Sequence, residues 1–242
     1  MNTVKRAIIM AAGTGSRMNP VTLDTPKPLV RVNGVRMIDT VIQALHANNI
    51  KEIYIVVGYL KEQFEQLKVD YPNVMLIENP YYYTCNNISS LYVARDHIEN
   101  AIILDGDQII YNPAILTPEF ERSGYNCIWT DKETDEWFLT VENNIVQSCS
   151  RTGGSNGWQL YSVSRWSFED GKRLKKHLEI EFDEKKNRQI YWDDVALFCY
   201  SDEYQLGIQE MDANDIIEID NLSELAQIDS SYKKYLGEYN NK

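Results

Sequence analysis

The sequence predicts one α/β domain with a parallel sheet in its first half and a β-rich second half. Short β-branched runs alternate with segments of helical periodicity over roughly the first 110 residues. Such alternation is typical of parallel strands joined by right-handed crossovers. Beyond Pro118 strand follows strand, and all five tryptophans lie between Trp129 and Trp192. Because no linker, composition break or repeat separates the halves, we expect a single folding unit over residues 1–242, with its halves meeting near residue 115.

The elements of the first half follow from its periodicity. Helical spacing predicts a helix from Met37 to about Asn48, a second from Leu60 to Leu67, and a third after Asn86 or Asn87. Asn33-Gly34 is typical of a hairpin turn. Apolar runs predict strands at residues 7–10, 53–57, 74–77 and 102–104.

The second half is predicted to consist mainly of strands. A helix with a charged solvent face is predicted over residues 172–182, and a capped helix follows residue 221. Tyr239 to Lys242 are expected to be frayed. Strands are predicted at residues 127–130, 137–141, 145–149, 158–163 and 216–219, with a loop rich in Gly and Ser at residues 153–157.

The composition excludes several classes of function. A formal net charge of −12 disfavours binding to nucleic acid and to anionic membranes, both of which select for basic surfaces. No apolar run is long enough to span a membrane, and the apolar start passes directly into a polar loop, unlike a signal peptide. The four cysteines lack metal-binding spacing and are expected to be free thiols, so we expect a cytoplasmic protein.

A glycine-containing loop after the first strand predicts an anion site. Gly13-Thr14-Gly15 leaves backbone N–H groups free to surround a phosphate, and Arg17 and Lys27 add positive charge. The loop is neither a Walker A sequence nor a dinucleotide-binding fingerprint, since it lacks the Gly-Lys-Ser/Thr ending and has Met18 where the third glycine would stand.

Carboxylates follow two predicted strands. Asp105 and Asp107 flank Gly106 at the end of one, and Asp220 follows the other. Because Mg²⁺ is usually bound by one or two carboxylates together with substrate phosphates, Asp107 and Asp220 are candidate ligands. An acidic turn at the end of a strand is the alternative for each.

Two further stretches have both a structural and a functional interpretation. The segment from Asn79 to Tyr92 is either a polar loop with a helix cap, at Asn86 or Asn87, or a pocket that hydrogen-bonds a pyrimidine. Aromatic residues beside acids, at Glu136-Trp137 and Tyr191-Trp192-Asp193, suit either core packing or a cage for a quaternary ammonium group, which cannot donate hydrogen bonds.

The first loop also carries a family signature. The pattern Gly-x-Gly-x-Arg-x-x-Pro-x-Thr…Pro-Lys resembles that of the sugar-nucleotide pyrophosphorylase-like nucleotidyltransferases. The acid and aromatic motifs downstream follow one another in an order similar to that of bacterial CTP:phosphocholine cytidylyltransferases of the LicC type. The chain resembles this family over nearly its full length. The signature is matched at Gly13, Gly15, Arg17, Pro20, Thr22, Pro26 and Lys27.

This resemblance implies a Rossmann-like fold with a mixed, mainly parallel sheet flanked by helices and a small acceptor-binding lobe in the second half. It implies transfer of CMP from CTP to phosphocholine with Mg²⁺, by in-line attack on the α-phosphorus, with Arg17 and Lys27 on the phosphates. It also assigns the remaining roles: Ala11, Ala12, Gly13, Thr14, Gly15, Asn87, Ser90 and Asp105 to the nucleotide, Glu136, Trp137, Tyr191, Trp192 and Asp193 to the acceptor, and Asp107 and Asp220 to the metal.

Three alternatives remain open. The acceptor could be 2-aminoethylphosphonate or phosphoethanolamine, whose primary amines favour carboxylates over aromatic rings. It could be a sugar 1-phosphate, which would not need the aromatic cluster. The chain could also bind a nucleotide without catalysis. The sequence leaves the oligomeric state undetermined.

Overall fold

Fifteen strands and six α-helices form within residues 1–236, which are the residues that the computed structural model describes. The strands are β1 (Asn2–Thr3), β2 (Arg6–Ala11), β3 (Arg31–Val32), β4 (Val35–Arg36), β5 (Glu52–Val57), β6 (Val74–Glu78), β7 (Ala101–Asp105), β8 (Gln108–Ile110), β9 (Glu119–Phe120), β10 (Gly124–Thr130), β11 (Phe138–Glu142), β12 (Ile145–Ser150), β13 (Gly157–Trp166), β14 (Gly207–Glu210) and β15 (Ile216–Glu218). The helices are α1 (Met37–Ala47), α2 (Glu65–Asp70), α3 (Ile88–Val93), α4 (Phe168–Glu179), α5 (Leu222–Ile228) and α6 (Lys233–Leu236).

The main sheet is mixed, as predicted. It has nine strands in the order β10-β14-β12-β11-β13-β7-β2-β5-β6. The four first-half strands β7, β2, β5 and β6 are all parallel, whereas β13 joins β7 antiparallel. Parallel pairing outside the first half is confined to β10 with β14 among the residues described. The α/β class is therefore confirmed, with its parallel part in the first half.

The predicted β-rich second half forms a ring of five strands. β13 pairs on one side with β10 and on the other with β11. β11 continues to β12, and β12 meets β14 at Ile145 and Gly207, so that the pairing of β14 with β10 closes the ring. The ring stands beside the carboxyl end of β7, which is where ligands bind in sheets of this kind.

Two apolar cores cover the two faces of the sheet. Successive residues of β2 point to opposite faces, so Ile9 joins the core under α1 and Ile8 joins the core under α3 and α4. The predicted helical stripe of α1 is buried at Met37, Ile38, Val41, Ile42 and Leu45.

Local capping explains where two helices begin. α4 starts four residues before the predicted position because Ser167 Oγ accepts a hydrogen bond from Asp170 N at 3.1 Å. α5 is capped as predicted, by Asn221 Oδ1 accepting from Glu224 N at 3.0 Å. Just before this cap, β15 pairs antiparallel with β8, and this pairing brings Asp220 beside the Asp107 turn.

Within residues 1–236, no helix has both the length and the apolar character needed to cross a membrane. The four cysteines are free thiols, as predicted. The expectation for Tyr239 to Lys242 concerns residues outside those described.

Candidate active site

The glycine loop is shaped by contacts with the segment that ends at Lys27. Gly15 has a φ of +63°, and a Cβ added there would lie 2.9 Å from Lys27 Cβ. Thr22 Oγ1 donates a hydrogen bond to Gly15 O at 2.8 Å. Glycine at position 15 is therefore required both by the backbone conformation and by the close approach of the lysine.

Lys27 lies at the centre of the charged residues. Its side chain is almost fully buried, and Nζ donates to Asp107 Oδ2 at 2.5 Å and to Asp220 Oδ1 at 3.3 Å. Arg17 Nη2 donates to the same Asp220 oxygen at 2.7 Å. Burial alone would lower the pKa of Lys27, but Asp107 and Asp220 outweigh it and raise the pKa above its ordinary value of 10.5. The lysine is therefore a fixed positive charge.

Three carboxylates form a compact acidic group beside Lys27. Oxygens of Asp105, Asp107 and Glu218 lie within 4.8 Å of one another, and Asp107 Oδ1 is buried without a hydrogen-bond partner among the described residues. Burial, with the charge of Asp107 next, raises the pKa of Glu218 to about 8 and that of Asp105 well above its ordinary value. Oxygen donors at this spacing, one of them unpartnered, fit a hard divalent cation.

Glu218 is a member of this group that the sequence interpretation did not single out. Its signal was present, because Glu218-Ile219-Asp220 repeats the acid-x-acid spacing of Asp105-Gly106-Asp107. Asp220 lies on the other side of Lys27, bonded to Arg17, and is not part of the group of three.

Two cavities adjoin at the glycine loop. One of about 230 Å³ is lined by the loop, Arg17, Lys27, Asp107 and Asp220. The other, of about 240 Å³, shares Gly13 and Thr14 with the first and extends to Asn87 and Ser90. The expected phosphate-binding and base-binding residues thus line neighbouring cavities, which is the arrangement a nucleoside triphosphate needs.

Asn79 organises the second cavity, and it lies in the segment from Asn79 to Tyr92 for which the sequence left a pyrimidine pocket open. It is buried, and its Nδ2 donates to Ser89 Oγ and to Ser90 Oγ, each at 3.0 Å. Its Oδ1 accepts from Tyr81 N at 2.9 Å. The sequence assigned Asn79 no role of its own within that segment, because Asn-Pro after a strand is also typical of a turn.

The loop from Asn86 to Asn87 connects the two halves of the site. α3 has no side-chain cap, because Asn87 Oδ1 instead accepts from Trp192 N at 2.9 Å. Asn86 Nδ2 donates to Gln189 O at 3.2 Å, and Gln189 Nε2 donates to Thr84 O at 2.9 Å. The wall of the base cavity is thereby bonded to the segment that carries Tyr191.

The predicted aromatic residues Trp137 and Tyr191 do meet. Their rings pack edge to face, with centroids 5.7 Å apart, and Phe198 contacts Trp137 in the same way at 5.6 Å. The guanidinium of Arg151 lies 3.6 Å from the Phe198 centroid and 5.7 Å from the Trp137 centroid. The sequence interpretation missed Phe198 and Arg151, which come from a helical turn and from a loop without a motif.

Two adjacent carboxylates at this end have different partners. Asp194 accepts from Arg151 Nε at 2.9 Å and from Tyr191 N at 2.8 Å. Asp193 is buried, and its Oδ1 has no hydrogen-bond partner within the described residues. Burial, with the charge of Asp194 adding to it, raises the pKa of Asp193 to about 7, against the opposing influence of the Tyr125 hydroxyl.

The remaining two predicted acceptor residues lie elsewhere. Trp192 is 2% exposed and packs in the core against Tyr125 and Trp166, so its ring does not reach the site and the expected contact with the acceptor is not supported. Glu136 lies toward the charged residues: partial burial and then the charge of Asp220 raise its pKa.

The comparisons with known proteins agree with this geometry. The family model of the MobA-like NTP transferase domain matches residues 7–162. This chain belongs to that family. The family is one of nucleotidyltransferases, so the prediction of an enzyme that transfers a nucleotidyl group is confirmed.

Similar proteins narrow the group to cytidylyltransferases. The 2-aminoethylphosphonate cytidylyltransferase of Lancefieldella rimae is 40% identical over 228 residues, which cover 93% of this chain and 92% of the relative. The choline-phosphate cytidylyltransferase of Streptococcus pneumoniae is 31% identical over 228 residues, with 94% and 98% covered. The solved structure of CTP:phosphocholine cytidylyltransferase from Streptococcus pneumoniae (LicC) aligns with a TM-score of 0.87 and 31% identity over 95% of this chain and 99% of that one. The predicted resemblance and the Rossmann-like fold are confirmed, while the relatives differ in the acceptor for which they are named.

Proposed function

We propose that this nucleotidyltransferase transfers CMP from CTP to a small acceptor that has a phosphate or phosphonate at one end and an ammonium group at the other. The observation that carries the proposal is the position of Lys27. Its Nζ bridges Asp107 and Asp220 at 2.5 and 3.3 Å, next to the cavity that the glycine loop lines.

In this proposal the triphosphate lies against Ala11, Ala12 and the N–H groups of the glycine loop, with Arg17 and Lys27 neutralising its charge. Asn87 and Ser90 bind the cytosine and ribose. The acceptor oxygen attacks the α-phosphorus in line and pyrophosphate leaves. Because the acceptor oxygen is already ionised near neutral pH, the protein does not need to remove a proton from it. The protein needs to align the reacting groups and to neutralise their negative charge.

Asp107 and Asp220 are the proposed magnesium ligands, and Asp105 and Glu218 fit the same ion. When bound, Mg²⁺ supplies positive charge to the phosphates of the nucleotide. Lys27 donates to both proposed ligands, and Arg17 donates to Asp220 at 2.7 Å.

For the acceptor, 2-aminoethylphosphonate now comes first. The sequence alone favoured phosphocholine, but the 40% identical relative is named for the phosphonate. Asp193 offers a buried oxygen without a partner among the described residues, which suits a primary ammonium that can donate hydrogen bonds.

Phosphocholine remains the second candidate. The edge-to-face pair of Trp137 and Tyr191, with Tyr191 47% exposed, favours it, since a trimethylammonium group binds to aromatic faces. The choline-phosphate relatives support the same acceptor. The free cysteines are consistent with a cytoplasmic enzyme, and we keep that location as part of the proposal.

A screen for pyrophosphate release tests the proposal. CTP, UTP, ATP and GTP are each combined with 2-aminoethylphosphonate, phosphocholine, phosphoethanolamine and glucose 1-phosphate, with Mg²⁺ present. We expect release with CTP and an amine-bearing acceptor. Release with glucose 1-phosphate alone would identify a sugar nucleotidyltransferase, and no release with any pair would favour a binding protein without catalysis.

A further inference from the structure

Arg151 lies over two aromatic rings at the end of the site proposed for the acceptor. Its guanidinium lies 3.6 Å from the centroid of Phe198 and also contacts the ring of Trp137. Its Nε donates to Asp194 at 2.9 Å. Arginine stacks on aromatic rings and donates hydrogen bonds to carboxylates at the same time, whereas a quaternary ammonium has no N–H group to donate.

The pairing with Asp194 makes this arrangement difficult to displace. The Asp194 side chain is 4% exposed, whereas that of Arg151 is 48% exposed. A trimethylammonium group on the Trp137 and Phe198 rings would have to move the guanidinium into water. Asp194 would then be left buried and charged without the guanidinium of Arg151. Trimethylammonium could not replace the hydrogen bonds that Arg151 had donated.

We infer that Arg151 determines acceptor specificity by excluding quaternary ammonium groups from the rings of Trp137 and Phe198. The amine of the acceptor is thereby directed to carboxylates, to which a primary ammonium can donate hydrogen bonds and trimethylammonium cannot. The inference rests on the proposed transfer of CMP to an amine-bearing acceptor, and it names the chemical feature by which that site selects its substrate.

The test removes the ion pair as a unit. The double variant Arg151→Ala/Asp194→Asn frees the aromatic rings without leaving a buried charge. We expect kcat/KM for phosphocholine relative to 2-aminoethylphosphonate to rise about threefold to thirtyfold, the range of one or two cation–π contacts. Arg151→Lys keeps a charge but loses the stacked, forked geometry and is expected to give a smaller rise.

Arg95→Ala is the matched control. Arg95 also stacks on an aromatic ring, at 4.2 Å from the centroid of Tyr92, and pairs with a carboxylate, Glu179, at 3.1 Å. Neither Tyr92 nor Glu179 is among the residues proposed to bind the acceptor. For Arg95→Ala, kcat/KM for phosphocholine relative to 2-aminoethylphosphonate should stay at the wild-type value. Thermal unfolding of each variant establishes that it is folded.

Calorimetric titration with tetramethylammonium gives a second readout that does not depend on turnover. The double variant should bind it at least about threefold more tightly than the wild type. An unchanged acceptor ratio together with unchanged tetramethylammonium binding would overturn the inference. If neither the wild type nor any variant turns over an acceptor, the proposed function fails. The titration with tetramethylammonium then decides the role of Arg151.

Discussion

The two halves of the site are built in different ways. On the nucleotide side, a short segment from Gly13 to Lys27 supplies the loop and the cations, and strand pairing between β8 and β15 brings the acids to it. On the acceptor side, Trp137, Arg151 and Tyr191 come from three separate loops or strand ends. The first arrangement is fixed by strand pairing and buried charge, and the second by contacts between segments that are distant in the sequence. Binding residues on loops can change without altering the scaffold, so the relatives can share a nucleotide site and differ in acceptor.

The largest effect is expected on the nucleotide side, from Lys27→Met. Loss of a buried charge that stabilises the transition state should lower kcat about 10²–10³-fold. Pyrophosphate release at saturating CTP and acceptor measures it. Lys175→Met is the control, because Lys175 forms a surface pair with Asp96 at 2.6 Å away from the site and should leave turnover unchanged. Near-normal turnover by the Lys27 variant would contradict its proposed role.

Gly15→Ala tests whether the loop must approach Lys27 closely. The added Cβ would lie 2.9 Å from Lys27 Cβ, so the lysine has to move, and a displacement of this kind lowers kcat about 10²-fold. Gly34→Ala is the control, since Gly34 has a φ of +88° but open space around the Cβ position. Both variants should lose stability, and only Gly15→Ala should lose activity. Equal activity in the two would mean that the close approach is not needed.

Asp193→Asn sharpens the acceptor side of the comparison. If Asp193 receives the primary ammonium, kcat/KM for 2-aminoethylphosphonate should fall about tenfold to hundredfold, the value of one charged hydrogen bond. Turnover of phosphocholine should change much less. A loss that is equal for both acceptors would indicate a structural role for Asp193 only.

The same variant has a predicted pH dependence of stability. Burial raises the pKa of Asp193 from 3.8 when unfolded to about 7 when folded. The stability contributed by the protonated carboxyl is therefore complete below pH 4 and lost as the pH rises to 7. Asp193→Asn should raise the free energy of unfolding by up to about 4 kcal/mol at pH 8 and change it little at pH 4. Urea denaturation at both values measures this. Asp96→Asn should instead lower the free energy of unfolding at pH 8, because hydrogen bonding to Lys175 lowers the pKa of Asp96.

The smallest effect is expected from Asn79→Ala. Loss of its hydrogen bonds to Ser89 and Ser90 frees two hydroxyls in the base cavity, and KM for CTP should rise about threefold to tenfold with kcat little changed. Initial rates with varied CTP test this prediction. A fall in kcat with unchanged KM would place the effect of Asn79 elsewhere.

The sequence predicted the fold, and it predicted that the glycine loop, Lys27 and the acids at the strand ends lie together, for a physical reason. Helical and strand periodicity reflect burial, and the glycine loop carries its chemistry in consecutive residues. Asp107 follows the carboxyl end of β7, a parallel strand beside the glycine loop, and the antiparallel pairing of β15 with β8 brings Asp220 next to it.

The acceptor side was harder to predict because its contacts are not periodic. Trp192 and Tyr191 are neighbours in an aromatic motif, yet one is 2% and the other 47% exposed. Arg151 follows a strand in a loop without a motif, and Asn87 bonds to Trp192 rather than capping its helix. Such choices depend on which segments meet in space, and local sequence does not contain that information.

Because the bond from Trp192 N to Asn87 Oδ1 joins the two proposed binding segments, we expect the binding of the two proposed substrates to be coupled. A nucleotide that orders the Asn86 to Asn87 loop also orders the segment bearing Tyr191, and an acceptor held by that segment orders the loop. By thermodynamic linkage this coupling is reciprocal. The factor by which CTP increases the affinity for the acceptor equals the factor by which the acceptor increases the affinity for CTP.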